Sequence, residues 1–307
     1  MTFAYTNTDL IAMVKRRGMI PTSQDTFSND DFLLIATDII NGHIAPMLVS
    51  TREEYYTYPI DRTLVSGTAN YLIPTRAMGD GLRGLFWVTD AGDVVKIVVI
   101  DLENQDGLNE ATLLNGNDFA AYKQGSEVII KPTPSPAAGS LRFFISIRPG
   151  KLVQTTAAGQ VTAFNTVAKT VTVGTIPSSW ASGNTLDFIQ ADPHYRYLDV
   201  DRSDTAISGT TITFTNDLPT SLAIGDWVAL QGESPIPQIP HELMPLLSQW
   251  TMKKCLEAIG DRSGAEYAAG ELKELQTDAM KLIQPRIKSE AKKVVNRNRL
   301  YLLNRTW

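Results

Sequence analysis

Ser234-Pro235-Ile236-Pro237-Gln238-Ile239-Pro240-His241-Glu242-Leu243 is the stretch whose reading decides the fold. A residue that precedes proline is pushed out of the helical region, so residues 234–239 read as an extended linker. Pro240 then suits the first turn of a helix. Leu243, Leu246, Leu247, Trp250, Met252, Leu256 and Ile259 follow as an apolar stripe, broken at Gly260-Asp261. Tyr267, Leu272, Leu275, Ala279, Leu282 and Ile283 make a second stripe over residues 263–283. The spacing predicts an antiparallel helix pair. The proline run before it reads as a hinge between β-rich and helical text.

Working outward to the N-terminal end, residues 8–56 are helical text. Asn7 or Thr8 can cap a first helix through Leu10, Ile11, Met13 and Val14. Lys15-Arg16-Arg17, then Gly18, then Pro21 form a stop signal: cations in the last turn, glycine after it, proline beyond. Ser28 and Asp31 form a capping box before Phe32, Leu33, Ile35, Ala36, Ile39, Ile40 and Ile44. Pro46 should kink or end that helix, because it removes a backbone donor. Residues 48–56 read as its continuation.

Between the helical ends lies strand text. Residues 71–74, 82–88, 94–100, 127–131 and 141–148 are expected strands, and residues 115–122 a short helix. Residues 150–232 are rich in Thr, Ser, Gly and Val and contain a repeat. Thr170-Val171-Thr172-Val173, Ile176-Pro177 and residues 183–190 return as Thr211-Ile212-Thr213-Phe214, Leu218-Pro219 and residues 225–231, at an offset of 41 to 42 residues. Each unit is strand, Pro-bearing loop, Gly-polar turn, strand. Neither buries a face alone, and together they can close a small barrel or sandwich. The class is therefore α+β, divided into 1–57 with 233–285 (helical core), 58–149 (β-rich), 150–232 (inserted β-domain) and 286–307 (basic arm).

Composition excludes several functions. Hydrophobic residues at 43% and charged residues at 20% fit a folded globular chain. One cysteine, Cys255, permits no internal disulfide and reads as a small buried hydrophobe in a reducing compartment. The N-terminal residues show no signal-peptide pattern, and no run approaches the roughly 18 apolar residues of a membrane span. There is no Gly-rich phosphate loop, His-Glu-x-x-His or Gly-x-Ser-x-Gly. His43, His194 and His241 are too scattered for a metal cluster. Residues 199–204 resemble the start of a calcium loop, but Asp204 stands where glycine is needed and Thr210 where a bidentate Glu is needed. A polar turn is the simpler reading. A paired-carboxylate hydrolase among Asp187, Asp192, Asp199 and Asp201 lacks any partner motif. The chain is expected to be no enzyme, with no cofactor and no metal.

The tail carries the most information about partners. Arg286, Lys288, Lys292, Lys293, Arg297, Arg299 and Arg305 oppose Glu290 alone, a surplus of six on a chain whose total is −5. Phosphates are one possible target. Val294, Val295, Leu300, Tyr301, Leu302, Leu303 and Trp307 interleave those cations and favour an acidic protein partner, with these side chains as apolar anchors.

The segment Ile239-Pro240-His241-Glu242-Leu243, its helix, Glu257-Ala258-Ile259-Gly260-Asp261, the second helix, Pro285-Arg286 and Val294-Val295-Asn296-Arg297 resemble the head-to-tail adaptor (connector or neck) proteins of tailed bacteriophages. So do a first helix ending near Gly18-Met19-Ile20-Pro21 and a second over residues 30–46. The resemblance covers residues 1–56 and 233–307. It implies a structural virion protein at the head-tail junction, made in the bacterial host cytoplasm. It also implies a ring of twelve subunits under the portal that passes DNA without sequence-specific binding and meets a downstream tail or neck protein. The helical core would form the ring wall, and Arg286, Lys288, Lys292, Lys293, Arg297, Arg299, Leu300, Tyr301, Leu303, Arg305 and Trp307 the docking arm on portal or neighbour. No membrane contact is implied. The acidic remainder of the chain suits a lumen that repels phosphates. The alternative is a carbohydrate- or receptor-binding β-module, which needs Trp180, Tyr195, Tyr197 and Trp227 exposed.

Overall fold

The computed structural model describes residues 5–21, 26–100, 103, 119–135, 138–191 and 194–283. The docking-arm residues from Arg286 to Trp307 lie outside them.

Helix α1 (Asn7–Arg17) is capped by Thr6, one residue earlier than expected, whose hydroxyl accepts from the Asp9 amide while the Asp9 carboxylate accepts from the Thr6 amide. Asn7 is spent elsewhere. Its backbone amide donates to Pro235 O at 3.0 Å, and its side-chain amide to Ser234 O and Val153 O. Helix α2 (Asn29–Ile39) opens on the Ser28–Asp31 capping box, with both reciprocal bonds present. Pro46 does not end the helix. A π-helical turn, Ile40–Ile44, leads into α3 (Ala45–Thr51), and Pro46 sits in the first turn of α3 where its missing donor matters least. The helix stops at Arg52, so residues 52–56 are a turn instead of the expected continuation. The continuous span Asn29–Thr51 is long and apolar enough by composition to cross a membrane. Here its apolar face packs inward through Phe32, Leu33, Ala36, Ile40, Ile44 and Leu48, each at most 1% exposed.

At the other end of the chain, α4 (Met244–Ile259) and α5 (Arg262–Ile283) form the helix pair, turned by Gly260 at φ 81°, a left-handed conformation that favours glycine. The face of α4 packs on α1 and α2, so the N-terminal and C-terminal helices share one apolar core with Leu10, Val14, Leu247, Cys255 and Ala268. The proline run is not a free hinge. Ile236 and Ile239 are fully buried in that core and Gln238 is 2% exposed.

Seven strands form an open sheet: β1 (Thr57–Thr63), β2 (Asn70–Leu72), β3 (Ala77–Val88), β4 (Val94–Ile100), β5 (Ala120–Gln124), β6 (Glu127–Lys131) and β7 (Ser140–Ile147), in the order β1-β7-β3-β4-β5-β6-β2. The described end of the expected helix over 115–122 is instead the start of β5. Leu85, Ile97, Ile130, Leu141, Phe143 and Ile145 cover its inner face, all at most 2% exposed.

Strand β8 (Lys151–Leu152) enters the third unit, and β9 (Gly159–Asn165), β10 (Thr170–Val173), β11 (Thr185–Ile189), β12 (Tyr197–Ser208), β13 (Thr211–Phe214) and β14 (Trp227–Leu230) close into a barrel. The chain leaves along β15 (Glu233–Ser234), which pairs with β8 in parallel. Repeat equivalents lie side by side. In the β10–β13 pair Val171 faces Ile212, its own counterpart; β11 and β14 likewise pair, with Asp187 opposite Ala229. The barrel thus carries an internal two-fold. Each half has a third strand, β9 or β12, that the repeat reading did not include. Residues 199–204 lie in β12, so they form neither a turn nor a calcium loop. The fold is α+β.

Candidate functional site

The sheet and the barrel meet around one half-buried guanidinium. Arg76 lies in the loop between β2 and β3. It donates to Asp187 of β11 through Nη1 at 3.0 Å and Nη2 at 2.8 Å, and to Asp201 of β12 through Nη1 at 2.9 Å. Its face rests on the Tyr197 ring, 5.0 Å from the centroid. Asp187 is fully buried and also accepts the backbone amides of Asp201 and Gly232. Burial pushes its carboxyl up; Arg76 and the two amides pull it down. Burial likewise pulls on the Arg76 guanidinium, yet Asp187 and its neighbours leave it raised. The two partners point to opposite protonation tendencies for one pair, and the four donors on Asp187 decide for the ionised form. Gly150 completes the junction, since a Cβ there would sit 2.7 Å from the Tyr197 hydroxyl.

Beside this clamp runs a cleft of about 230 Å³ lined by Tyr55, Tyr56, Tyr58, Pro59, Ile147, Arg196, Tyr197, Leu198 and Gln238. The Tyr56 hydroxyl donates to Gln238 O at 2.8 Å, and that of Tyr58 to Asp199. Burial pushes all four phenols up, so none supplies a phenolate. The cleft opens into a groove of about 790 Å³ between β1 and β12, with Asp61, Arg142, Asp199, Asp201 and Arg202 in its walls. These charges are matched: Arg142 grips Asp61 with two 2.7 Å bonds, and Arg202 donates to Asp199 at 2.6 Å. The carboxylates expected as hydrolase candidates are thus held by arginines, apart from Asp192, which lies outside the described residues.

Ladder geometry fixes what β1 presents to this groove. Tyr56 O accepts from Ile147 N and Leu64 N donates to Gly139 O, so the even-numbered residues of β1 bond to β7. The odd ones point their backbone groups the other way. Pro59, which has no amide hydrogen, falls in that odd set, as an edge strand permits. Among the described residues no strand pairs with this edge.

The remaining sequence candidates are dispersed. His43 stacks on Trp250 at 4.4 Å and His241 lies 4.5 Å from the Tyr5 ring. Among the described residues no three His, Cys, Asp or Glu gather as a metal site would require. Cys255 is buried and its thiol is pushed up to about 12. Trp180, Tyr195, Tyr197 and Trp227 are 8%, 4%, 5% and 8% exposed, so the surface aromatics needed for a carbohydrate platform are inside the molecule. Sequence reading missed Arg76, Gln238, Tyr55, Tyr56 and Tyr58, and named Tyr197 only as a surface aromatic. The signal within reach was Glu53-Glu54-Tyr55-Tyr56-Thr57-Tyr58, whose aromatic density is unusual for a helix end. No protein-family model matches the chain, and no curated protein matches it.

Proposed function

We propose that this chain is a structural subunit of the ring joining capsid to tail in a tailed bacteriophage, seated under the portal and surrounding the DNA path. One observation carries the reading: residues 7–51 and 244–283 build one helical body, and Ile283, the residue from which the arm's sequence continues, belongs to it. Arg52 Nε donates to Ile283 O at 2.9 Å, which fixes the root of the arm to the end of α3. A rigidly rooted segment with six surplus positive charges and apolar anchors suits docking on an acidic partner surface. The helical body is then the ring wall, and the sheet and barrel face away from it or toward the next tail component. The rest of the chain, at −11, suits a channel that repels phosphates.

The test is the mass of the purified protein, alone and mixed with its portal. A ring mass, or a stable complex with portal that is lost on deleting residues 286–307, is the expected result. A strict monomer that ignores the portal overturns the reading.

A further inference from the structure

Independently of the ring reading, we propose that the groove between β1 and β12 binds a neutral oligosaccharide, recognised through its hydroxyl groups. Its volume of about 790 Å³ falls within the roughly 300–1,000 Å³ of small-ligand sites. Its walls come from β1, β7, β12 and the connection between β13 and β14.

Charge narrows the ligand class first. Asp61, Asp199 and Asp201 stand in the walls, and each is matched by an arginine: Arg142, Arg202 and Arg76 in turn. The pairs cancel, so the groove has no surplus with which to hold a phosphate, a nucleic-acid strand or a cation. Cancelled charge still leaves hydrogen-bonding capacity. Arg142 spends one Nε–H and one Nη2–H on Asp61, and a guanidinium has five N–H groups in all. Each Asp61 oxygen accepts one of those bonds and keeps a further lone pair. Both side chains remain partly exposed, at 31% and 45%. An unspent N–H thus stands beside an unspent carboxylate lone pair in a fixed plane. A sugar hydroxyl donates and accepts at once, and it satisfies both.

The barrel wall adds neutral groups. Asn216, Thr220 and Ser221 are exposed, and among the described residues no hydrogen bond engages their side chains. Tyr58, Pro59 and Leu198 supply apolar surface for the C–H faces of sugar rings and continue it into the tyrosine cleft. None of the four aromatics expected to form a sugar platform lines this groove, so recognition falls to paired charges and hydroxyls. An extended peptide is the competing occupant. The Thr57 amide is bound to Glu54 O and Pro59 has none, so along the outer edge of β1 only Asp61 and Thr63 can donate to it. Polar side chains outnumber those backbone donors, which favours the sugar.

Backbone-amide NMR of the full chain tests this, with titration by neutral hexasaccharides of glucose, galactose, mannose and N-acetylglucosamine. At least one should shift the Asp61, Arg202, Asn216 and Ser221 amides together and saturably, with a Kd on the order of 1 mM or below. Asn216→Ala with Ser221→Ala, exposed changes that leave the fold intact, should weaken that binding at least about tenfold. Arg142→Met with Asp61→Leu, which removes one pair whole, should abolish it. No saturable shift with any of the four sugars overturns the proposal, as does binding that survives both double variants. A sulfated hexasaccharide or a single-stranded hexanucleotide that binds more tightly than every neutral sugar also overturns it, because charge then rules the groove. A Thr-Val hexapeptide that does so, shifting the Asp61 and Thr63 amides, makes the groove a strand-addition site and overturns it equally. Subunit mass and portal binding enter none of these outcomes, so the ring reading stands or falls separately.

Discussion

The barrel and the seven-stranded sheet solve the same problem in opposite ways. Each is a β unit of similar size with a buried apolar face. The barrel closes β9 on β10, so every strand has two neighbours and no backbone row is left to template a partner. The sheet stays open, ends on the short β2 at one side, and leaves the seven-residue β1 unpaired among described strands at the other. Closure makes the barrel self-contained. Openness makes the sheet the unit that can take on a further chain, and the Arg76 clamp fastens the two together beside that edge.

Four changes test this contrast, in falling order of effect. Phe188 is fully buried in the barrel and packs on Phe214 at 5.0 Å between centroids. Phe188→Ala should cost about 4 kcal/mol in denaturant unfolding, with exchange protection lost first in the barrel strands while β3 and β7 of the sheet hold. Simultaneous loss in both units would show that the barrel has no independent core. Arg76→Ala should cost about 3 kcal/mol, because it strands the Asp187 carboxylate in the interior with only two backbone amides. Arg76→Met with Asp187→Leu should recover most of it. If the single variant costs nothing, the clamp does not couple the units.

A smaller effect belongs to the helical body. Ser28→Ala removes the α2 cap and should cost about 1 kcal/mol, read as a lowered Tm. The Ser28 hydroxyl and amide hold the Asp31 carboxyl below its ordinary value of 3.8. The contribution of this pair is therefore present above that value and fades as pH falls through the lowered one. The pH slope below 4 should flatten in the variant. Last, Val167 stands 92% exposed at the β9–β10 hairpin tip. Val167→Glu should change stability by less than about 0.5 kcal/mol and leave subunit mass unchanged. A shift in mass would place an interface on the barrel and weaken the contrast with the sheet edge.

Local rules read most of the helical body correctly. The Ser28 box, the stop at Gly18 and the break at Gly260 are written in residues one to four positions apart, and local hydrogen bonds decide them. The strand pattern of residues 170–173 and 211–214 was equally plain, because alternation and a repeat are visible in one dimension. Misreadings arose where a distant partner decided the outcome. Thr6 caps α1 because the expected cap, Asn7, is drawn to carbonyls at Ser234, Pro235 and Val153. Residues 52–56 leave the helix because Tyr56 bonds to Ile147 and Gln238. The proline run looked like a hinge, yet both of its isoleucines fill the core.

The site was less legible than the fold. Arg76 sits 111 residues from Asp187 and 125 from Asp201, and nothing in either local pattern marks them as partners. Burial makes that pair, since a guanidinium and a carboxylate removed from water must find each other. By itself the sequence determined the α+β class, the repeated strands and the charge split between arm and body, because composition and short-range periodicity set these. Only the tertiary structure decided that the barrel closes, that Arg76 and Tyr58 join it to the sheet, and that among the described residues no strand pairs with the outer edge of β1. Those are properties of which strands become neighbours, and chain topology and burial settle neighbours, not local preference.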